Sequence, residues 1–209
     1  NDWLPVTDFL EKPVDFDLLL AKISSIVHLN RNQRPGLKST VAIEGILDRG
    51  KTEEKLFDAL LKAHETGTSL SILVIEIDNF TRLCSLLSHS AHDQILEHFG
   101  LRLKYAAGDA QFIGFLGGAQ FAAIITGDEF AARFTSRILL QDLSQPLPVC
   151  EDRITVAAKI GTATFPQDGA DAGTLLHNAT FALLQAKETS AGLSCFVAEQ
   201  KQQIQHEAE

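Results

Sequence analysis

The sequence predicts an α/β fold, and three observations support this prediction. Residues 112–125 contain two apolar runs on either side of a Gly-Gly pair, which is the pattern of a β-hairpin. Residues 69–77 form a nearly continuous apolar run, typical of a central strand that is buried on both faces. Other segments carry apolar residues at the spacing of amphipathic helices. Helices and strands that follow one another in this way indicate a sheet with helices packed against it.

Composition limits the classes of function. The 209 residues are 45% apolar and 22% charged, which is enough to bury a core and unlike a disordered chain. The net charge of −9 and the lack of a Lys/Arg run argue against a nucleic-acid partner. No apolar run reaches the roughly 18 residues of a membrane span, and no signal peptide is evident, so we expect no membrane contact. Cys84, Cys150 and Cys195 are far apart, which predicts reduced thiols, no zinc site and a cytoplasmic protein.

The first 40 residues differ from the rest of the chain. The chain neither begins with Met nor contains one, and we expect it to be a piece of a longer protein. Within residues 1–31, the pair Lys12-Pro13 precedes a helical pattern of apolar residues. This segment resembles the last strand and helix of a response-regulator receiver domain, in which that Lys contacts a phosphoryl group. An ordinary amphipathic helix after a Pro turn explains the same pattern. Residues 32–40 are polar, contain a Pro-Gly pair and are predicted to be a linker.

Residues 41–198 are predicted to form the main domain. The predicted helices cover residues 52–65, 94–107, 128–142 and 174–187. The predicted strands cover residues 69–77, the hairpin at 112–125, a long strand at 153–165 and a short one at 193–197. Gly67 ends the first helix, a Pro-rich break covers 145–148, and a turn covers 166–169. Residues 199–209 are polar and are predicted to be a helical linker to a further domain.

The hairpin carries the sequence Gly117-Gly118-Ala119-Gln120-Phe121, which resembles the GGDEF signature hairpin of diguanylate cyclases. Weaker matches lie in the expected order along the chain, at residues 43–49, 76–85, 88–93, 159–161, 166–169 and 179–187. Together they cover about residues 40–197. The resemblance implies the GGDEF fold, which is a central, mostly antiparallel sheet flanked by helices and related to the palm of nucleotide cyclases. We expect a receiver-type helix to precede it here.

The resemblance also assigns a nucleotide site. In the family, an Asp at a strand end and the third signature residue hold Mg²⁺, and other residues contact the guanine and the phosphates. The positions that keep a usable group here are Glu76, Asp93, Gly117, Gly118 and Lys187. Glu76 can still offer oxygen ligands to Mg²⁺, one methylene further out. Two of these residues have a simpler explanation, because Asp93 could help to start a helix and Lys187 could be a solvated helix end.

At four positions of that site, the functional group found in the family is absent. Ala119 and Gln120 replace the two signature acids, Cys84 replaces an Asn that reads guanine, and Ala191 replaces a basic residue near the triphosphate. An alanine methyl offers no metal ligand, and a thiol cannot donate and accept as an amide does. The resemblance therefore implies a catalytically inactive domain without a bound metal or cofactor.

Two further segments bear on regulation. The family's inhibitory site for cyclic di-GMP is an R-x-x-D pair, and its positions are Gly108 and Gln111 here, so we expect that site to be absent. A second GDEF string occupies residues 127–130, after the hairpin. Its acids suit the first turn of a helix, so we interpret it as a helix start and not as a signature.

These observations leave three hypotheses for function. The leading one is an inactive GGDEF domain that acts as a regulatory and dimerisation module in bacterial cyclic di-GMP signalling. It would relay a receiver signal to a C-terminal effector such as an EAL domain, as a homodimer through the N-terminal helix. The second is a residual GTP-binding domain that uses Mg²⁺ and GTP to activate its neighbour. The third, an active cyclase using Glu76 alone, conflicts with the loss of several substrate contacts together.

Overall fold

The described residues form a five-stranded sheet with helices on both faces. This computed structural model describes residues 43–108 and 110–198. The helices are α1 (Arg49–Thr66), α2 (Phe80–Leu86), α3 (His89–Ala106), α4 (Glu129–Leu143) and α5 (Ala172–Glu188). The strands are β1 (Leu70–Ile77), β2 (Phe112–Gly117), β3 (Gln120–Thr126), β4 (Leu147–Val149), β5 (Asp152–Ile154), β6 (Ala158–Phe165) and β7 (Leu193–Cys195).

The sheet is mostly antiparallel, as predicted. Its strand order is β2-β3-β1-β6-β7, and only the β6–β7 pair is parallel. Strands β4 and β5 pair with each other in a separate hairpin. The predicted α/β fold with a central sheet flanked by helices is therefore confirmed, and so is the predicted β2–β3 hairpin.

Strand β1 lies at the centre of the sheet, and its alternate residues enter two separate cores. One core contains Leu73, Ile75 and Ile77 together with buried side chains of α3 and α4. The other contains Leu70, Ile72 and Val74 together with buried side chains of α1 and α5. Because both faces of β1 are covered, both sets of side chains must be apolar. This explains the continuous apolar run in the sequence.

Each of the four long helices begins at a side chain that accepts a hydrogen bond from a backbone N–H three residues further on. These N-cap residues are Asp48, Ser88, Asp128 and Asp171. Each satisfies one of the N–H groups that a helix start leaves unpaired. Asp128 belongs to the second GDEF string, so the prediction that this string starts a helix is confirmed. Gly67 ends α1 in the left-handed conformation, also as predicted.

Three sequence predictions are wrong in detail. The long strand at 153–165 is two strands, β5 and β6, separated by residues 155–157. The break at 145–148 overlaps β4, which tolerates Pro148 because its sheet has only two strands and leaves an edge free. Helix α3 starts at His89 and is capped by Ser88, so Asp93 lies inside the helix and does not start it.

Several predictions fall outside the described residues. They are the receiver remnant at 1–31 with Lys12 and Pro13, the linker at 32–40, and the helical linker at 199–209. Among the helices of residues 43–108 and 110–198, none has the length and apolar character to cross a bilayer.

Candidate nucleotide site

The signature turn is tied to the end of β1. Gly117 and Gly118 have φ angles of 106° and 63°, which glycine adopts without the strain that a side chain brings. A Cβ atom added to Gly118 would meet nothing within 4 Å, so one side of the turn is open. The half-buried Ala119 accepts a hydrogen bond on its carbonyl oxygen from the Ile77 N–H, at 3.2 Å. The hairpin turn is therefore held beside the last residues of β1.

Glu76 lies at that strand end, and both of its carboxylate oxygens are engaged. Gln120 is its neighbour across the β1–β3 register and donates from Nε2 to Oε2 of Glu76 at 2.7 Å. Lys187, near the end of α5, donates from Nζ to Oε1 of Glu76 at 2.5 Å. The Glu76 side chain is 16% exposed and that of Lys187 is 31% exposed, so the ion pair is partly shielded from water. We call these three residues the Glu76 cluster.

Close packing of α5 against the sheet brings Lys187 to Glu76. A Cβ atom on Gly161 of β6 would lie 2.1 Å from the backbone nitrogen of Leu183 and 2.2 Å from the carbonyl oxygen of Ala179. Glycine therefore lets the backbone of α5 approach the strand more closely than any other residue would. Lys187 also lies in the last helical turn, where the helix dipole favours a positive charge. The explanation of Lys187 as a solvated helix end is wrong, because its ammonium group is paired with Glu76.

The other retained position, Asp93, is not part of this cluster. Its side chain is exposed on α3, and we find no hydrogen bond or ion pair from it to any other described residue. Cys84 is half-buried on α2, and this burial raises the pKa of its thiol. A raised pKa leaves the thiol protonated at neutral pH and makes it a poor nucleophile.

The remaining degenerate positions lie in other surroundings. Ala191 lines a cavity of about 370 Å³ between α4 and β7, whose lining also includes Arg133, Arg137 and Cys195. At the inhibitory-site positions, Gly108 offers no side chain and Gln111 donates from Nε2 to the Thr126 hydroxyl at 2.7 Å. Neither position supplies the charge that the R-x-x-D pair supplies in the family.

The residues present do not fit the Mg²⁺ site that the family resemblance implies. A two-metal site needs several carboxylate oxygens facing one space. Here Ala119 provides a methyl group, and both oxygens of Glu76 accept hydrogen bonds from side chains. Across the described part of the chain, no group of three or more His, Cys, Asp or Glu side chains is arranged to hold a metal ion.

Sequence reasoning missed the donor role of Gln120 and the position of Lys159. The sequence interpretation treated Gln120 only as a lost acid, whereas its amide forms a hydrogen bond with Glu76. Lys159 faces Glu76 across the β1–β6 register, and its Nζ donates to the Thr189 carbonyl oxygen at 2.9 Å, just beyond the end of α5. The strand register was the signal that could have found both residues, because it places 120 and 159 on either side of 76.

A known family matches both the sequence and the fold described above. The family model described as "Diguanylate cyclase, GGDEF domain" matches residues 42–192. The chain belongs to the GGDEF family. The GGDEF domain of TpbB from Pseudomonas aeruginosa has the same fold, with a TM-score of 0.71 at 23% sequence identity. That likeness covers 77% of this chain and 95% of the other.

Relatives of this GGDEF domain occur in longer proteins. An uncharacterized signaling protein of Caulobacter vibrioides is 30% identical over 157 residues, which are 74% of this chain and 19% of that protein. The cyclic di-GMP phosphodiesterase NbdA of Pseudomonas aeruginosa is 25% identical over 160 residues, which are 76% of this chain and 20% of that protein. The chain thus spans about a fifth of the length of these two relatives.

Proposed function

We propose that this GGDEF domain is catalytically inactive and acts as a regulatory module in a cyclic di-GMP signalling protein. The proposal rests on one observation. Ala119 offers no ligand at the third signature position, while the strand-end carboxylate of Glu76 is bound by Gln120 and Lys187.

The Glu76 cluster disfavours metal binding in two ways. It contains no second carboxylate, and its one carboxylate is already paired with a cation. A divalent ion at Glu76 would have to displace the Lys187 ammonium from Oε1 or share the carboxylate with it. Both groups are cations, so they would repel each other at close range in a partly shielded site. The two-metal chemistry of a cyclase, in which ions neutralise the triphosphate and activate a hydroxyl, therefore lacks its protein ligands.

The family and the relatives support the proposed regulatory role. GGDEF domains occur in cyclic di-GMP signalling proteins, and one relative, NbdA, is named as a cyclic di-GMP phosphodiesterase. We infer that this domain relays a signal from an upstream receiver domain to a downstream effector such as an EAL domain. In this proposal the N-terminal helix joins two copies as a homodimer.

A second candidate function is GTP binding without turnover. The open turn at Gly117 and Gly118 favours it, because glycines let a ligand approach the backbone closely. The retained Lys187 also favours it, because in the family this Lys helps to hold the triphosphate. In this case GTP would take Lys187 away from Glu76 and so couple nucleotide binding to the position of α5.

A cyclase assay on the 209-residue chain tests the leading proposal. We expect no cyclic di-GMP from GTP and Mg²⁺ above a protein-free blank, with an active family member as the positive control. The double variant Ala119→Asp/Gln120→Glu should also stay inactive, because Cys84 and Ala191 still lack the base and phosphate contacts. Product from the unaltered chain that disappears in Glu76→Ala would overturn the proposal. Product from the double variant alone would show that the signature acids are the only defect.

Calorimetric titration with GTP and Mg²⁺ separates the two candidates, with cyclic di-GMP titrated in parallel. Micromolar GTP binding that is lost in Lys187→Ala would establish the nucleotide-binding function. No heat with either ligand leaves a module that works through its partners only.

A further inference from the structure

Helix α4 exposes a row of large apolar side chains. Phe130, Phe134 and Ile138 are 77%, 61% and 41% exposed, and their spacing of four residues places them on one face of the helix. The opposite face is already buried in the core through Ala132 and Leu139. The exposed row is therefore in excess of what the fold needs, and an apolar patch of this kind marks an interaction site.

A basic row runs beside the apolar one. Arg133 and Arg137 are also four residues apart, and both line the cavity of about 370 Å³ between α4 and β7. Leu140, Leu193 and Val197 add apolar surface to the same cavity. Arg133 donates to Glu129 at 2.6 Å within the helix, and this hydrogen bond raises the pKa of its guanidinium. Glu129, Arg133 and Arg137 lie four residues apart along this edge and together carry a net charge of +1, in a chain of net charge −9.

We propose that this α4 surface, made of Phe130, Phe134, Ile138, Arg133 and Arg137, docks an amphipathic helix of a partner protein or domain. The partner helix carries an apolar row and, along one edge, carboxylates four residues apart. Its apolar row covers the two Phe rings and Ile138, and its carboxylates reach the arginines at the mouth of the cavity. A helix in a groove is a common way to recognise an amphipathic segment, and Arg forms two parallel hydrogen bonds with a carboxylate.

Charge and composition argue against two other occupants. A two-fold contact repeats the same patch on both partners. Two antiparallel copies of α4 crossing at Phe134 would bring together four arginines and two glutamates, and the net charge of +2 in that contact disfavours a second copy. Residues 199–209 contain a single large aliphatic residue, Ile204, and no aromatic residue. The composition of that segment therefore does not match an apolar row with two exposed Phe rings.

The test uses a fluorescein-labelled 18-residue helical peptide with Leu at every third or fourth position and Glu along one edge. Fluorescence anisotropy with the 209-residue chain should give saturable binding. The double variant Arg133→Glu/Arg137→Glu should weaken it at least tenfold, and Phe134→Asp should abolish it. A peptide with Lys in place of each Glu should prefer the reversed-charge variant over the unaltered chain by at least tenfold.

A matched control separates local from overall charge. The double variant Lys62→Glu/Arg153→Glu changes the net charge equally, at exposed residues of α1 and β5, and should leave peptide binding unchanged. The inference is overturned if the Glu peptide does not bind, or if the Arg133/Arg137 and control variants weaken it equally. Sedimentation that shows a dimer of this chain, lost in Phe134→Asp, would assign the surface to a second copy instead.

Discussion

Replacing Gly161 by Ala tests how α5 is positioned. The new Cβ would lie 2.1 Å from the Leu183 nitrogen, 2.2 Å from the Ala179 carbonyl oxygen and 2.6 Å from the Leu183 Cα. These are backbone atoms of a helix, so no side chain can rotate to make room. Ordinary contacts of a Cβ begin near 3.4 Å, and α5 must therefore move away from β6 by about 1 Å.

This displacement opens the core on the α5 face of the sheet. Leu175, Ala179, Ala182 and Ala186 of α5 are fully buried, and all would lose contact with the sheet. Overpacking of this kind lowers the unfolding free energy by about 1–3 kcal/mol. Because all three clashing atoms belong to the helix backbone, we expect Gly161→Ala to lie at the upper end, about 3 kcal/mol. Urea denaturation followed by circular dichroism at neutral pH measures this loss directly.

A second glycine provides the control. Gly50 lies in α1 and is exposed, and an added Cβ would meet only a side-chain oxygen of Asp48 at 3.5 Å. Gly50→Ala should therefore gain about 0.5 kcal/mol, because alanine loses less backbone entropy in a helix. If Gly161→Ala falls within about 0.5 kcal/mol of the unaltered chain, the reasoning about close packing of α5 is refuted.

Further substitutions test one helix cap (Asp171), one half-buried carboxyl (Asp168) and the Glu76 cluster. Asp171→Ala should lower the unfolding free energy by about 1 kcal/mol. Asp171→Ser should lower it by much less, because serine is also a good N-cap residue. Hydrogen bonds from Thr174 lower the pKa of Asp171. The charge-dependent part of the loss in Asp171→Ala is therefore fully present above the ordinary aspartate pKa, and it disappears as pH falls through the lowered pKa. A difference in stability that does not shrink as the pH is lowered would contradict this. Burial raises the pKa of Asp168, so Asp168→Asn should be at least as stable at pH 7, and its advantage should vanish as acid protonates Asp168; urea midpoints from pH 3 to 7 show the trend. Lys187→Met should cost about 1 kcal/mol because the pair is only partly exposed. In a double-mutant cycle with Glu76→Gln, strictly additive losses would show that the two side chains are not coupled.

Local sequence signals predicted the parts of the fold that depend on a single segment. The hairpin could be predicted because a Gly-Gly pair stands between two apolar runs. In the structure, both Gly117 and Gly118 have the positive φ angles that the turn requires. The second GDEF string could be assigned to a helix start because acids suit that position, and Asp128 caps α4. The interruption at residues 155–157 was missed because Val156 is buried and continues the apolar alternation through the break.

The candidate site depended on contacts between distant segments, and the sequence gives no local sign of them. Lys187 and Glu76 are 111 positions apart, and nothing in the α5 sequence distinguishes a paired lysine from a solvated one. Their meeting depends on Gly161, which lies on a third element and carries no charge. Residue types alone could show which ligands were lost at Ala119. They could not show that Gln120 and Lys187 donate hydrogen bonds to the remaining carboxylate, Glu76.

The Glu at position 76 and the Gln at position 120 form a consistent pair. In an active site of this family a metal ion would neutralise the strand-end carboxylate, and here that positive charge comes from Lys187. The two oxygens of Glu76 accept hydrogen bonds from Gln120 on β3 and Lys187 on α5, so both are satisfied by side chains. A buried or half-buried carboxylate with one unsatisfied oxygen is costly. The Glu76 carboxylate is therefore satisfied by one substituted residue, Gln120, and one retained residue, Lys187. Under the proposed regulatory role, these contacts would hold the hairpin and α5 together without metal or nucleotide.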